Sequence, residues 1–262
     1  MHIPVVTTFQ QLYEAVQSYA RERHYIFRGQ ANDWPLLPKG WRVGFAGQDQ
    51  ELFQSWRRQA VSMFGGPMTD SEWDWLSLAQ HHGLATRLLD WTLNPLVAAF
   101  FATESSFSKD DQVEHDGIIY AARFRQSALV DDSQKKEGPF KALEGHVRGH
   151  IRLLWPNRIA ARISAQAGLF TLHGDNVGIQ FGDAAVGNGE KGGTPPTPDL
   201  DHFQKIRIPV NAKDKLRKEL SFIGVHELSI YPDLDGLSEY LNWGIQTGTY
   251  LQPGEYYGGA AG

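Results

Sequence analysis

Apolar residues recur along the chain with two periods, and these divide it into helices and strands. Phe9, Leu12, Val16 and Tyr19 fall on one helical face behind Thr8, a candidate N-cap with Gln11 placed to reach back. Tyr25-Ile26-Phe27 is short, apolar and aromatic, which predicts a strand ending at Arg28-Gly29. Residues 31–48 carry Trp34-Pro35, Pro38 and several glycines, an irregular connection. Leu52, Phe53, Trp56, Ala60 and Met63 mark a second helix, and Ser71 opens a third that Gly83 ends. Asn94-Pro95 supplies a cap and a first-turn proline for an apolar helix from Leu96 to Thr103. Gly117 to Phe124 is the clearest strand. A helical stretch around Asn157 to Ala167 follows, then strands at Leu169–His173 and Lys205–Pro209. Asn211 is placed to cap a helix bearing Leu216, Leu220 and Ile223, which Gly224 ends. Val225 to Tyr231 reads as a strand and Leu237 to Trp243 as a last helix.

Residues 183–200 hold almost nothing that could be buried and read as a mobile loop; residues 251–262 read as a disordered tail. Core elements continue on both sides of that loop. The expectation is one α+β domain over residues 1–250, a mixed sheet with flanking helices.

Composition narrows the class. Hydrophobic content of 41% and charged content of 21% over 262 residues describe a globular chain with a substantial core. No apolar run approaches the roughly 18 residues of a membrane span, and Met1 to Val6 lacks the pattern of a secretory signal. We therefore expect a cytoplasmic protein with no membrane partner. The absence of cysteine removes disulfides, thiolate metal sites and a cysteine nucleophile. A net charge of −5 argues against a broad nucleic-acid-binding surface and leaves room for a local basic groove. No phosphate-binding Walker loop, Gly-x-Gly-x-x-Gly or Gly-x-Ser-x-Gly occurs.

Charged residues set among apolar ones are costly unless paired or used, so two segments stand out as candidate sites. In the first, Arg28 closes an aromatic run just before Gly29 and Gln30. Its planar fork suits a phosphate or a carboxylate; an ion pair with an acid such as Asp90 is the structural alternative. Gly29 allows a backbone or a ligand to come close. The second segment, Ala79 to Leu96, sets His81, His82, Arg87, Asp90 and Thr92 among leucines and Trp91. Neighbouring histidines cannot share a helix face, and no other ligand spacing is present, so no metal is expected. Arg87 and Asp90 are placed to clamp the turn, or an anion could sit by Thr92, Asn94 and the amides of the following helix start. A third cluster, His146 through Arg162, contains no acid and is locally basic. It could touch nucleic acid, but a solvated face or contacts to helix ends is the usual explanation.

These motifs resemble the FRG domain, named for a Phe-Arg-Gly signature that here is Phe27-Arg28-Gly29 followed by Gln30. The central block Ala79 to Ala98 is similar to that family's longest motif. Arg162 to Phe170, Ile206 to Pro209 and Gly224 to Gly236 extend the resemblance over most of residues 8–240.

The order of elements also resembles, more weakly, the ADP-ribosyltransferase plan of an early-strand arginine, a serine/threonine turn before a helix, and a later catalytic glutamate. The resemblance implies NAD as substrate, without a metal. Arg28, Asp90, Thr92 and Gln166 would be catalytic; Arg28, Gly29, Gln30, His82, Arg87, Asn94 and Phe170 would hold the dinucleotide. The FRG resemblance further implies a toxin or effector of bacterial or phage conflict, an RNA, DNA or protein acceptor, and a neutralising antitoxin as partner. Departures from the plan are Asp90-Trp91-Thr92 at the serine-type turn and the neutral Gln166 near the glutamate position. A non-catalytic nucleotide- or partner-binding module, with Arg28, Arg87 and Asp90 in a structural network, is the alternative.

Overall fold

In the computed structural model, residues 3–22, 24–45, 47–63, 69–105, 114–142, 149–157, 165–176, 178–179 and 197–249 are described. Six strands form one sheet: β1 (Tyr25–Gln30), β2 (Leu88–Thr92), β3 (Gly117–Phe124), β4 (Ile151–Leu154), β5 (Gly168–His173) and β6 (Leu200–Ile208), in the order β4-β5-β2-β1-β3-β6. Every ladder is antiparallel. Of the mixed sheet anticipated, parallel contact among the described residues appears only in the isolated bridges Val5–Arg207 and Leu129–Leu153.

Eight helices are described: α1 (Phe9–Arg21), α2 (Asp49–Ala60), α3 (Glu72–His81), α4 (Pro95–Ala102), α5 (Asp132–Glu137), α6 (Val210–Phe222), α7 (Glu227–Ile230) and α8 (Leu234–Thr247). Three have the caps expected of them. Thr8 accepts from the Gln11 amide, Ser71 from Asp74 and Asn94 from Leu96. Gln11 reaches back to the amide of Thr7 rather than that of Thr8. Gly83 and Gly224 end α3 and α6 at φ of 83° and 88°, which glycine adopts without strain.

Strand alternation splits the apolar run of β1 between the two faces of the sheet. Tyr25 and Phe27 pack with α1, α4 and α6, whereas Ile26 packs on the opposite face beside Leu36, Tyr120 and Phe203. On the β2–β5–β4 half of the sheet, α2 and α3 cover a second core built on Phe53, Trp75, Leu76, Leu88, Phe170 and Leu172. Helix α4 sits against β1 and β3 so closely that only glycine fits beneath it. A Cβ on Gly29 would lie 1.8 Å from the Ala98 carbonyl oxygen, and one on Gly117 would lie 1.9 Å from that of Ala102. The close approach at Gly29 is thus made by helix backbone.

Several elements differ from expectation. Val225–Tyr231 is no strand: it holds the one-turn helix α7, in which His226 and Ser229 cap each other reciprocally. Asn211 lies inside α6, whose first amide is capped instead by the distant Asp116. Ile223 ends that helix half-exposed. Leu52 is exposed, as is Met63 beyond the end of α2, while Phe53 is buried with Trp56 and Ala60 packed against the same core. The loop anticipated at 183–200 falls outside the described residues up to 196, but Thr197 and Asp199 are buried and Leu200 begins β6. The helix anticipated over 157–167 lies largely outside them, as does the tail.

Candidate active site

Strands β1 and β2 pair at a single position, Phe27 with Thr92, and then part. A cleft of about 540 Å³ opens beside the fork, within the range of small-molecule sites. Strands β1, β2 and β5 contribute Arg28, Gly29, Gln30, Asp90, Thr92 and Phe170 to its walls, and Gln166 lies on the turn before β5. The end of α3 brings Gln80 and His81, the end of α4 brings Phe101 and Glu104, and the irregular connection brings Trp34 and Arg42.

Arg28 is held at the centre of a hydrogen-bonded row. Its Nε donates to Gln30 Oε1 at 3.1 Å, and one terminal nitrogen donates to the Asp90 carbonyl at 2.8 Å. Gln30 in turn donates through Nε2 to the Trp34 carbonyl at 2.9 Å. The Arg28 side chain is 17% exposed, and its nearest carboxylate oxygen, Asp90 Oδ2, stands 3.8 Å away. Burial lowers its pKa; Asp90 opposes that and Arg42 adds to it, so two cations act on each other here. An arginine stays charged regardless.

The Asp90 carboxylate is open to solvent, with its side chain 54% exposed. One oxygen accepts from Gln80 Nε2 at 2.9 Å, and Gln80 is fixed from behind because its own carbonyl accepts from the Thr86 hydroxyl. The clamp between Asp90 and Arg87 does not form. Arg87 turns away into the second core and grips Asp49, Nε to Oδ2 at 2.6 Å and the second nitrogen to Oδ1 at 3.0 Å. The Phe140 ring lies 4.6 Å beneath the guanidinium. Residues alternate along β2, and its splay frees Asp90 for the cleft while Arg87 is neutralised elsewhere.

Five residues expected to be ligands or catalysts have other work. Arg87 is the structural cation just described. His82 packs beside Trp56, with ring centres 6.4 Å apart, and its neighbour His81 lines the cleft instead. Asn94 spends its side chain on the α4 cap, and the cleft meets the end of α4 rather than its start. Thr92 lines the cleft but is buried. Its hydroxyl donates to the Gln166 carbonyl at 2.6 Å and accepts the Asn94 amide at 3.0 Å. Gln166 lines the cleft with its amide nitrogen directed to the Ile230 carbonyl at 3.3 Å. The next residue, Ala167, takes a left-handed φ of 46°, a strained conformation for a non-glycine residue at the cleft edge.

The remaining walls are braced from below. Lys213, buried in α6, donates to the Ala31 and Glu104 carbonyls at 2.8 and 3.0 Å, joining the end of β1 to the end of α4. Burial lowers its pKa, partly offset by Glu114, Asp116 and Glu104. Beside the cleft, Tyr120 donates to Asp33 at 2.7 Å and Lys205 holds the same carboxylate at 2.9 Å. Burial pushes Asp33 upward, but these two hydrogen bonds outweigh it and leave the pKa below its ordinary value.

The basic strip is not an open groove where it is described. Arg152 is buried in β4, and His150 Nδ1 lies 3.0 Å from Asp199, itself buried. His146, Arg148, Arg158 and Arg162 lie outside the described residues. Among the described residues no cluster of histidine and acidic side chains could hold a metal ion, and no helix is long and apolar enough to cross a membrane.

The chain is thus an α+β fold on one antiparallel sheet, with an arginine and an open carboxylate flanking a fork between central strands. Residues 23–111 match the family model of the FRG domain, and the chain carries that domain, as its Phe-Arg-Gly signature led us to expect. The match covers β1 to the end of α4, which includes Arg28, Gln80, Asp90 and Thr92. No curated protein and no solved structure matches the chain.

Proposed function

We propose that the cleft binds NAD and supports transfer of its ADP-ribosyl group to a macromolecule. The observation that carries this reading is the pairing of a fixed guanidinium with a solvent-open carboxylate across one cleft. Arg28 offers its fork to a phosphate or ribose oxygen. Asp90, held in place by Gln80, offers negative charge where the reaction needs it. Breaking the bond between nicotinamide nitrogen and ribose C1′ sends its electron pair to the ring, neutralising the pyridinium. The ribose is left with oxocarbenium character, which a carboxylate stabilises. An acceptor nucleophile then bonds to C1′ and loses its proton. The acceptor is an RNA, a DNA or a protein met in the cytoplasm, and the role is that of an effector in bacterial or phage conflict, restrained by an antitoxin; these last points follow from the family resemblance alone.

The test is incubation with NAD labelled in the adenylate moiety, in a cell extract, with label transfer and released nicotinamide both measured. Wild type transfers label; Arg28→Ala and Asp90→Asn do not. Intact NAD and no transfer to any acceptor would rule the chemistry out.

A second reading, a nucleotide-binding module without turnover, is favoured by one observation. The Thr92 hydroxyl is committed to backbone partners and the Gln166 amide is turned to Ile230. This leaves Asp90 to act without them. Calorimetric uptake of NAD that stays chemically intact would favour this module.

A further inference from the structure

Trp34 is half-exposed on the wall of the cleft, yet its backbone is tightly held. Its carbonyl accepts from Gln30 Nε2 at 2.9 Å, and Tyr120 Oη approaches the same oxygen at 3.5 Å. A large aromatic fixed by its backbone while its side chain stays open offers a ready-made stacking surface. Arg42 lines the same wall. Its Nε donates to the Leu37 carbonyl at 3.1 Å, and its two terminal nitrogens have no partner among the described residues. Arg28 and Arg42 are like charges within electrostatic reach of each other, an arrangement an anion between them would relieve. A row of hydrogen bonds runs from the Trp34 carbonyl through Gln30 and Arg28 to the Asp90 carbonyl, and these four residues line the same cleft.

We propose that Trp34 is the stacking platform for the nucleobase of the ligand, with Arg42 and Arg28 holding the phosphates between the base and Asp90. The ligand class is therefore a nucleoside diphosphate, in NAD extended by a second sugar on its terminal phosphate that faces Asp90. This rests on the reading of the cleft as a nucleotide site but not on its turnover, because base stacking is needed for binding alone.

The experiment is calorimetric titration of the full chain with ADP and, separately, with inorganic pyrophosphate. Trp34→Ala should weaken ADP binding about tenfold or more, as expected for loss of one base–aromatic stack, and leave pyrophosphate binding unchanged. Trp34→Phe should restore most of the ADP affinity, which also controls for misfolding. Arg42→Ala should weaken ADP and pyrophosphate alike. Equal ADP affinity in wild type and Trp34→Ala would overturn the platform while leaving ADP-ribosyl transfer standing. A Trp34-dependent affinity with no NAD turnover would uphold the platform and remove the transfer reading. Failure of the wild type to bind ADP or NAD at all would overturn both.

Discussion

Replacing Arg87 with methionine should cost stability and spare the cleft. Asp49 has no exposed side-chain surface and Arg87 only 11%. The mutation would strand a fully buried carboxylate at the start of α2 with its guanidinium partner gone. Breaking such a pair from one side costs about 3–5 kcal/mol, a large part of the roughly 5–15 kcal/mol that holds an ordinary domain folded. Loss of the guanidinium over the Phe140 ring adds to it. Removing both charges together, as Asp49→Leu with Arg87→Met, should recover more than half of the loss, because no ion is left unpaired. Urea unfolding of the two single variants and the double variant closes the cycle. A single-variant loss below about 1 kcal/mol, within the range of an exposed pair, would refute the assignment of Arg87 as a buried structural cation. So would an Arg87→Met protein of normal stability that had lost nucleotide affinity.

Three further outcomes follow from the same reasoning. Burial pushes His173 down to about 3, so the folded state excludes a proton that the unfolded chain takes up near its ordinary pKa. Its stabilising effect is complete above that ordinary value and is lost as pH falls toward 3. From pH 7 to pH 5 the loss attributable to it is about 2 kcal/mol, and His173→Gln should remove that part of the acid sensitivity in urea titrations at the two pH values. A parallel fall in both proteins would contradict it. Gly29→Ala should destabilise by about 3 kcal/mol or more, because the added methyl meets α4 backbone rather than a movable side chain; thermal unfolding reads it, and an unchanged midpoint would show that α4 can shift. Arg28→Lys should weaken nucleotide binding about tenfold or more, since lysine keeps the charge and loses the planar fork; equal titration curves would dismiss the bidentate role.

What could be read from the chain was mostly local. Thr8, Ser71 and Asn94-Pro95 announce helix starts because their caps act within three residues. Strand β1 follows from its apolar, aromatic run, buried on both faces at Tyr25, Ile26 and Phe27, and the family signature marks the arginine of the cleft. What escaped was carried by partners distant in sequence. Asp49 lies 38 residues from Arg87, so the buried pair left no spacing to recognise, and the nearer Asp90 drew the assignment instead. Asp116 caps α6 from 94 residues away, which makes a local Asn211 cap unnecessary. Asp199 gathers His150 and the Ile151 amide into the interior, so a strip that reads as basic in sequence is inward-facing where it is described. Helix α7 was hidden because its cap is a histidine, whose Nδ1 accepts as a serine oxygen would. At the cleft, both histidines end α3 in sequence, and it is the packing of His82 beside Trp56 that leaves His81 on the cleft wall. Gln80 lies in the central block without a role assigned to it, Trp34 and Arg42 carry no motif, and all three enter the site because α3 and the irregular connection meet at the strand fork.

The central claim is spatial: a nucleotide lies across Arg28 with its reacting sugar at Asp90. The most direct measurement is a crystal structure of the Asp90→Asn protein with NAD, a variant chosen to bind without consuming the ligand. The account predicts phosphate oxygens within hydrogen-bond distance of the Arg28 guanidinium, the adenine against Trp34, and the nicotinamide ribose facing residue 90. NAD seated elsewhere, or a cleft that stays closed to it at saturating concentration, would contradict the account.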